Sequence, residues 1–136
     1  MKRTILAVVA ALFSWIVVAT LLNLLLRYTI AGYAAGEPTL TFTPGMMLAR
    51  LVLAMLSSLA AGAVAAWVAP ADDRPPGIAG LVLLVLFLPE HVQIWHRLPV
   101  WYHLIFLLTL LPLVMLGARL ARPRAARASG MHAPTT

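Results

Sequence analysis

The sequence predicts an all-α polytopic membrane protein, an antiparallel up-down-up-down bundle of four transmembrane helices, and three observations predict it. Four long apolar stretches, at about residues 4–26, 45–68, 77–95 and 100–120, fill most of the 136-residue chain. Each is close to the roughly 20 residues needed to cross a ~30 Å hydrocarbon core at ~1.5 Å per residue. Hydrophobic residues make up 62% of the chain and charged residues 10%, against about 25% charged in an average soluble chain. The stretches are also apolar around the whole helix rather than along one stripe, and a soluble domain of this size cannot hide four of them. Too little sequence lies outside them for a second domain, so residues 1–136 read as a single integral membrane domain.

The first stretch follows Lys2 and Arg3, as a signal peptide would. Its apolar run exceeds the ~7–15 residues of such a segment, and no small-x-small cleavage site closely follows, so it reads as a retained helix. The loop 27–43 is the longest. Gly32, Gly36 and Pro38 break helix there, and the alternation in Thr39-Leu40-Thr41-Phe42-Thr43 fits an extended interfacial segment. Proline then opens each later span: Pro44 behind a Thr43 cap, Pro75-Pro76, and Pro99. A proline suits the first helical turn because its missing N–H would have had no intrahelical partner. Asp72, Asp73 and Arg74 read as a solvated turn, and Pro123 stops the last helix. The tail, 121–136, is basic and then disordered in this reading.

Cysteine is absent, which excludes disulfides, thiolate nucleophiles and cysteine-held metals. Nine of the ten basic residues are Arg, and with abundant Ala and Leu this points to a GC-rich bacterial gene. The net charge of +6 is divided unequally. Lys2, Arg3, Arg74, Arg119, Arg122, Arg124 and Arg127 fall on one side of the membrane, and Arg27, Arg50 and Arg97 on the other. The Lys/Arg excess marks the cytoplasmic side, so both termini are expected in the cytoplasm of a bacterial inner membrane. Arg119, Arg122, Arg124 and Arg127 are expected to face anionic lipid head groups, at about 1 kcal/mol each. No nucleic-acid partner is expected.

Small residues mark expected close approaches of helices: Ser58, Gly62 and Ala66 on one face of the second span, Gly117 and Ala121 at the end of the fourth. Tyr28, Tyr33, Trp95, Trp101 and Tyr102 are placed to anchor the outer interface. Trp15, in the middle of the first span, reads as a packing or lipid-facing residue, and Ser57 with Ser58 as packing residues.

The third span is unusual. Its purely apolar part, Gly77–Leu88, covers only about 18 Å, so the helix must continue through Pro89, Glu90 and His91 to cross. Depth along each helix then brings Asn23, Arg50, Glu90, His91 and His103 to one level in the outer leaflet. Ionisable groups within a span usually face the interior with a partner, so the structural reading has Arg50 pairing with Glu90 or snorkelling upward on its own, with the histidines satisfying hydrogen bonds near the interface. Two functional readings of the cluster stand beside this structural one: a protonatable Glu90–His91 site coupled to transport, and a metal site at His91, His96 and His103 with Glu90 or Met46-Met47. No Walker A, GxGxxG, GxSxG or HExxH signature occurs.

The segments Ala61–Ala69 and Pro112–Ala121, with Pro99-Val100-Trp101-Tyr102 opening the fourth span, resemble small, uncharacterised four-helix integral membrane proteins of bacteria. That resemblance implies an inner-membrane bundle and carries no activity. The size is also similar to that of the small multidrug-resistance exporters, whose essential first-helix glutamate has no counterpart in residues 4–26. The function expected is therefore non-enzymatic and without a cofactor: a structural or accessory component of a homo-oligomer or larger membrane complex. A small transporter or metal-handling protein using the Glu/His/Arg cluster is the alternative.

Overall fold

The four apolar stretches fold as helices, and proline sets where three of them begin. The computed structural model describes residues 1–122. Arg124, Arg127 and the tail read as disordered lie outside the described residues. In chain order the elements are α1 (Lys2–Thr29), a one-turn α2 (Tyr33–Gly36), α3 (Pro44–Val68), α4 (Arg74–Gln93) and α5 (Val100–Ala121). The four long ones, of 28, 25, 20 and 22 residues, are each long and apolar enough to cross a membrane. No strand occurs among the described residues.

Thr43 caps α3 by accepting from the Met46 N–H at 3.3 Å, and Pro44 opens it. The structure moves other boundaries. Helix α1 runs three residues past 26. Helix α4 starts at Arg74 rather than 77, since Pro75 and Pro76 fit its first turn. It ends at Gln93, short of Trp95, because the chain tightens there: Trp95 N–H bonds the Val92 carbonyl and Arg97 N–H the Ile94 carbonyl. The segment expected to be extended around residue 40 is a turn over 37–40, with Leu40 at a φ of 56°. Ahead of it Gly32, at a φ of 78°, supplies the left-handed residue from which α2 starts.

The bundle packs small side chains inside and large ones outside. Ala7, Ala11, Ala61, Ala65 and Ala79 have no exposed surface, while Phe13, Leu86 and Leu108 are 67%, 62% and 71% exposed. Lipid is as apolar as leucine, so helices in it associate through close van der Waals approach rather than by hiding large side chains. The closest approach joins α3 to α5. A Cβ at Gly62 would overlap the Val114 carbonyl oxygen and lie 2.8 Å from the Ala118 nitrogen. One at Gly117 would overlap the Leu59 carbonyl oxygen and lie 2.8 Å from its Cα. Ser58, Gly62 and Ala66 are all buried; Gly62 lies against α5, and Ser58 meets Trp15 of α1. On α5 the buried stripe runs Leu110, Val114, Gly117, Ala118. Ala121, the last helical residue, is only half-buried, so Ala118 takes the place expected for it.

At one end of the bundle the turn read as solvated is exposed at Ala71, Asp73 and Arg74, and it also serves as a clasp. Asp72 accepts from the Thr4 hydroxyl at 2.9 Å and from the Arg74 N–H at 3.0 Å. Arg122 donates to the Asp72 carbonyl at 3.1 Å and forms an ion pair with Asp73. Arg3 donates to the Val68 carbonyl at 3.2 Å. The start of α1, the end of α3, the start of α4 and the end of α5 thus meet at one point. Arg122, expected to face lipid, turns its guanidinium onto this turn because two oxygens there need a cation. The Arg74 N–H and the Thr4 hydroxyl hold the Asp72 carboxyl below the usual aspartate range.

Two outcomes follow for thermal unfolding in detergent. Gly62→Val forces the α3–α5 seam apart and costs about 1–3 kcal/mol, whereas Gly77→Ala, whose added Cβ meets only Met115 Sδ at 3.7 Å, leaves stability unchanged or slightly higher. The depressed Asp72 group contributes stability above the ordinary carboxylate range, around pH 4, and loses it as pH falls through its lower folded value. An Asp72→Asn variant therefore shows a smaller drop in unfolding temperature between neutral and acid pH than the parent chain.

Candidate functional site

At the opposite end, which we call the α2 end, the polar groups of all four long helices converge. Arg50 lies on the second turn of α3. Its Nη1 donates to the Tyr33 hydroxyl at 2.9 Å and its Nε to the Tyr102 hydroxyl at 3.3 Å. The Phe42 ring lies 4.9 Å from its guanidinium carbon, within reach of a cation–π attraction. Tyr33 donates in turn to Asn23 Oδ1 at 2.8 Å, and Asn23 Nδ2 donates to Glu37 at 2.8 Å. Glu37 closes the chain with Arg27 at 2.9 Å. The network therefore runs from α5 through α3 and α2 to α1 and the loop between them.

The expected Arg50–Glu90 pair is not formed: no carboxylate lies within 4.0 Å of the Arg50 nitrogens among the described residues. The reason is the one-turn helix α2, which buries Tyr33 completely and sets its phenol where a carboxylate was expected. Tyr33 keeps its proton, because burial pushes its hydroxyl above the ordinary range, though the neighbouring Arg50 opposes the shift. Glu90, three residues before the end of α4, is exposed.

His91 and His103 do meet. They are 4% and 0% exposed, and their Nδ1 atoms lie 2.8 Å apart. At that distance one Nδ1 carries a proton and donates it while the other Nδ1 accepts. Trp95 stacks on His103 with centroids 4.8 Å apart, and Phe106 lies 4.4 Å from His91. His103 Nε2 is buried without a partner among the described residues. His96 is exposed and does not join them. No group of three His, Asp or Glu side chains capable of holding a metal occurs among the described residues. The three-histidine metal site is thus replaced by a two-histidine hydrogen bond.

Between these features lies a half-open cavity of about 420 Å³. Its floor is aromatic: Trp15 and Phe87 have centroids 4.7 Å apart, and Phe87 meets Phe106 edge-on at 5.3 Å. Trp15 is 7% exposed, and its indole donates to Ser58 Oγ at 3.1 Å, so it is a packing residue anchored to α3. Ser58 passes the bond on to the Ala54 carbonyl at 2.7 Å. The walls include Asn23, Arg50, Glu90, His91 and Tyr102. Of the expected residues, His103 stands behind His91 rather than on the wall.

Sequence reasoning did not place Tyr33, Glu37, Phe42 and Tyr102 in this site. Tyr33 and Tyr102, read as interface anchors, are 0% and 3% exposed. One signal was available for Glu37: it is the sole acid in loop 27–43, where a lone carboxylate beside Arg27 invites pairing. Searches of the chain against protein-family models, curated proteins and solved structures give no match.

The network and Glu90 separate in a stability measurement. Tyr33→Phe removes the hydroxyl shared by Arg50 and Asn23 and is expected to cost about 1–3 kcal/mol in detergent unfolding. Glu90→Gln is expected to stay within about 0.5 kcal/mol of the parent. A large loss in Glu90→Gln with none in Tyr33→Phe would mean that Glu90, not the phenols, holds Arg50.

Proposed function

We propose that this chain is a multi-pass membrane protein that acts by binding, a small non-enzymatic accessory component whose cavity at the α2 end receives a ligand. The carrying observation is that cavity. It is about 420 Å³, within the roughly 300–1,000 Å³ typical of small-molecule sites. It also combines an aromatic floor with a few polar groups, which is how such sites divide affinity from orientation. Most of its wall groups are already committed to one another, which supports a preorganised receptor rather than a reacting centre.

The charge distribution supports an orientation. Lys2, Arg3, Arg74, Arg119 and Arg122 belong to the clasp end, with Arg124 and Arg127 following in the sequence, against Arg27, Arg50 and Arg97 at the α2 end. The positive-inside rule then puts the clasp and both termini in the cytoplasm and the cavity on the outer side. The Arg-rich, cysteine-free composition fits a bacterial inner membrane. The basic end would lie against anionic head groups, with Arg122 working inward on the clasp.

The natural absence of cysteine makes the topology directly testable with exposed single-cysteine variants. With a membrane-impermeant maleimide on intact cells, His96→Cys is expected to label and Ala71→Cys to label only after lysis; the reverse pattern would invert the orientation. For binding, native mass spectrometry from a mild detergent is expected to show a retained small-molecule mass. That mass should disappear in Ala19→Phe, which fills the cavity wall. Equal retention in both proteins, or none in the parent, would remove the binding reading.

A further inference from the structure

The cavity holds two opposite charges that do not answer each other. Arg50 is bonded through Nη1 and Nε to neutral phenols, and its Nη2 has no protein acceptor among the described residues. Across the cavity the Glu90 carboxylate has neither an ion-pair nor a hydrogen-bond partner among the described residues. The other charges on the wall, Arg27 and Glu37, are paired at 2.9 Å, and His91 is committed to His103. The unspent charges are therefore one cation on α3 and one anion on α4.

Their setting is not aqueous on all sides. The exposed rim consists of Thr20, Leu24 and Arg27 on α1 and Glu90 on α4, so the cavity opens between these two helices. Leu21, Leu25, Leu86 and Val92, on the same stretches of α1 and α4, are more than half exposed. The mouth thus faces the lipid flank of the bundle. From Trp15 to Asn23 along α1 the cavity spans about 12 Å, from apolar floor to polar roof.

We propose that the cavity binds a zwitterionic amphiphile, a headgroup carrying a phosphate or carboxylate and an amine on an apolar chain, with the anion on Arg50, the amine on Glu90 and the chain over Trp15 and Phe87. The proposal rests on the binding reading above and names its ligand class. A purely anionic amphiphile would satisfy Arg50 and leave Glu90 repelling it. A purely cationic one would do the opposite. A neutral one would answer neither charge and would cover the Arg50 guanidinium without a counter-ion, which is costly where the dielectric is low. Two sources share the required chemistry, an aminophospholipid of the bilayer and a single-chain zwitterion. The lateral mouth is suited to the first.

The test reads quenching of Trp15 fluorescence by brominated chains in mild-detergent micelles, with three probes: diacyl phosphatidylethanolamine, diacyl phosphatidylglycerol and a single-chain phosphoethanolamine. Trp15→Phe identifies the Trp15 component. Phosphatidylethanolamine is expected to quench saturably at about tenfold lower concentration than phosphatidylglycerol. Glu90→Gln should abolish that preference without weakening phosphatidylglycerol, and Arg50→Gln should weaken both by about tenfold. Saturation by the diacyl probe supports the bilayer source, and by the single-chain probe alone the same chemistry from a free amphiphile. If Arg50→Gln does not fold, Glu90→Gln and Ala19→Phe still decide. Equal quenching by both headgroups, or a preference that survives Glu90→Gln, overturns the zwitterion proposal. If a retained mass is still lost in Ala19→Phe, the binding reading survives that result; with no retained mass in the parent, the binding reading falls and the zwitterion proposal with it.

Discussion

A guanidinium held by two phenols is the interaction on which the α2 end of this molecule depends. Arg50 cannot lose its proton, and a charge within a span costs about 2.5–3.5 kcal/mol even by the milder scales. A carboxylate partner would cancel the charge. The phenols of Tyr33 and Tyr102 instead solvate it with dipoles and leave its charge intact. For Tyr33 to serve, the chain between α1 and α3 must fold back into the bundle, which is what the Gly32 turn and the single turn of α2 accomplish. Asn23 and Glu37 then follow as hydrogen-bond consequences of a buried phenol that also needs an acceptor.

The two ends of the bundle solve the same problem differently. At the clasp, oxygens of one short turn collect a threonine hydroxyl, a backbone N–H and an arginine, so opposite charges meet and neutralise. At the α2 end the charges stay apart across a cavity. Between them the helices touch through glycine and alanine, with the α3–α5 seam closest. That seam is tight because backbone meets backbone. The α1–α4 side meets through rings instead, and there the cavity opens. Packing thus decides which flank is closed and which is accessible.

Much of this was legible in the sequence because membranes impose simple rules. Span length, proline at helix starts, the Thr43 cap and the inward face bearing Ser58 and Gly62 follow from rise per residue, unpaired N–H groups and close packing. The gathering of Asn23, Arg50, His91 and His103 at one end followed from depth alone. What depth could not give was direction around each helix. Glu90 and His91 are adjacent and so point about 100° apart; His91 is buried and Glu90 exposed. Nor did residue spacing reveal α2, a single helical turn with no periodicity to read, or that a turn rich in aspartate would be recruited by Thr4 and Arg122 from distant parts of the chain.

The most direct measurement is a pair of double-mutant cycles on unfolding in detergent or bicelles, Arg50→Gln with Tyr33→Phe and Arg50→Gln with Glu90→Gln. If phenols hold the guanidinium, the first pair couples by about 1 kcal/mol or more, while the second is additive within about 0.5 kcal/mol. Additivity with Tyr33 and strong coupling with Glu90 would contradict the account and restore a buried ion pair as the organising contact.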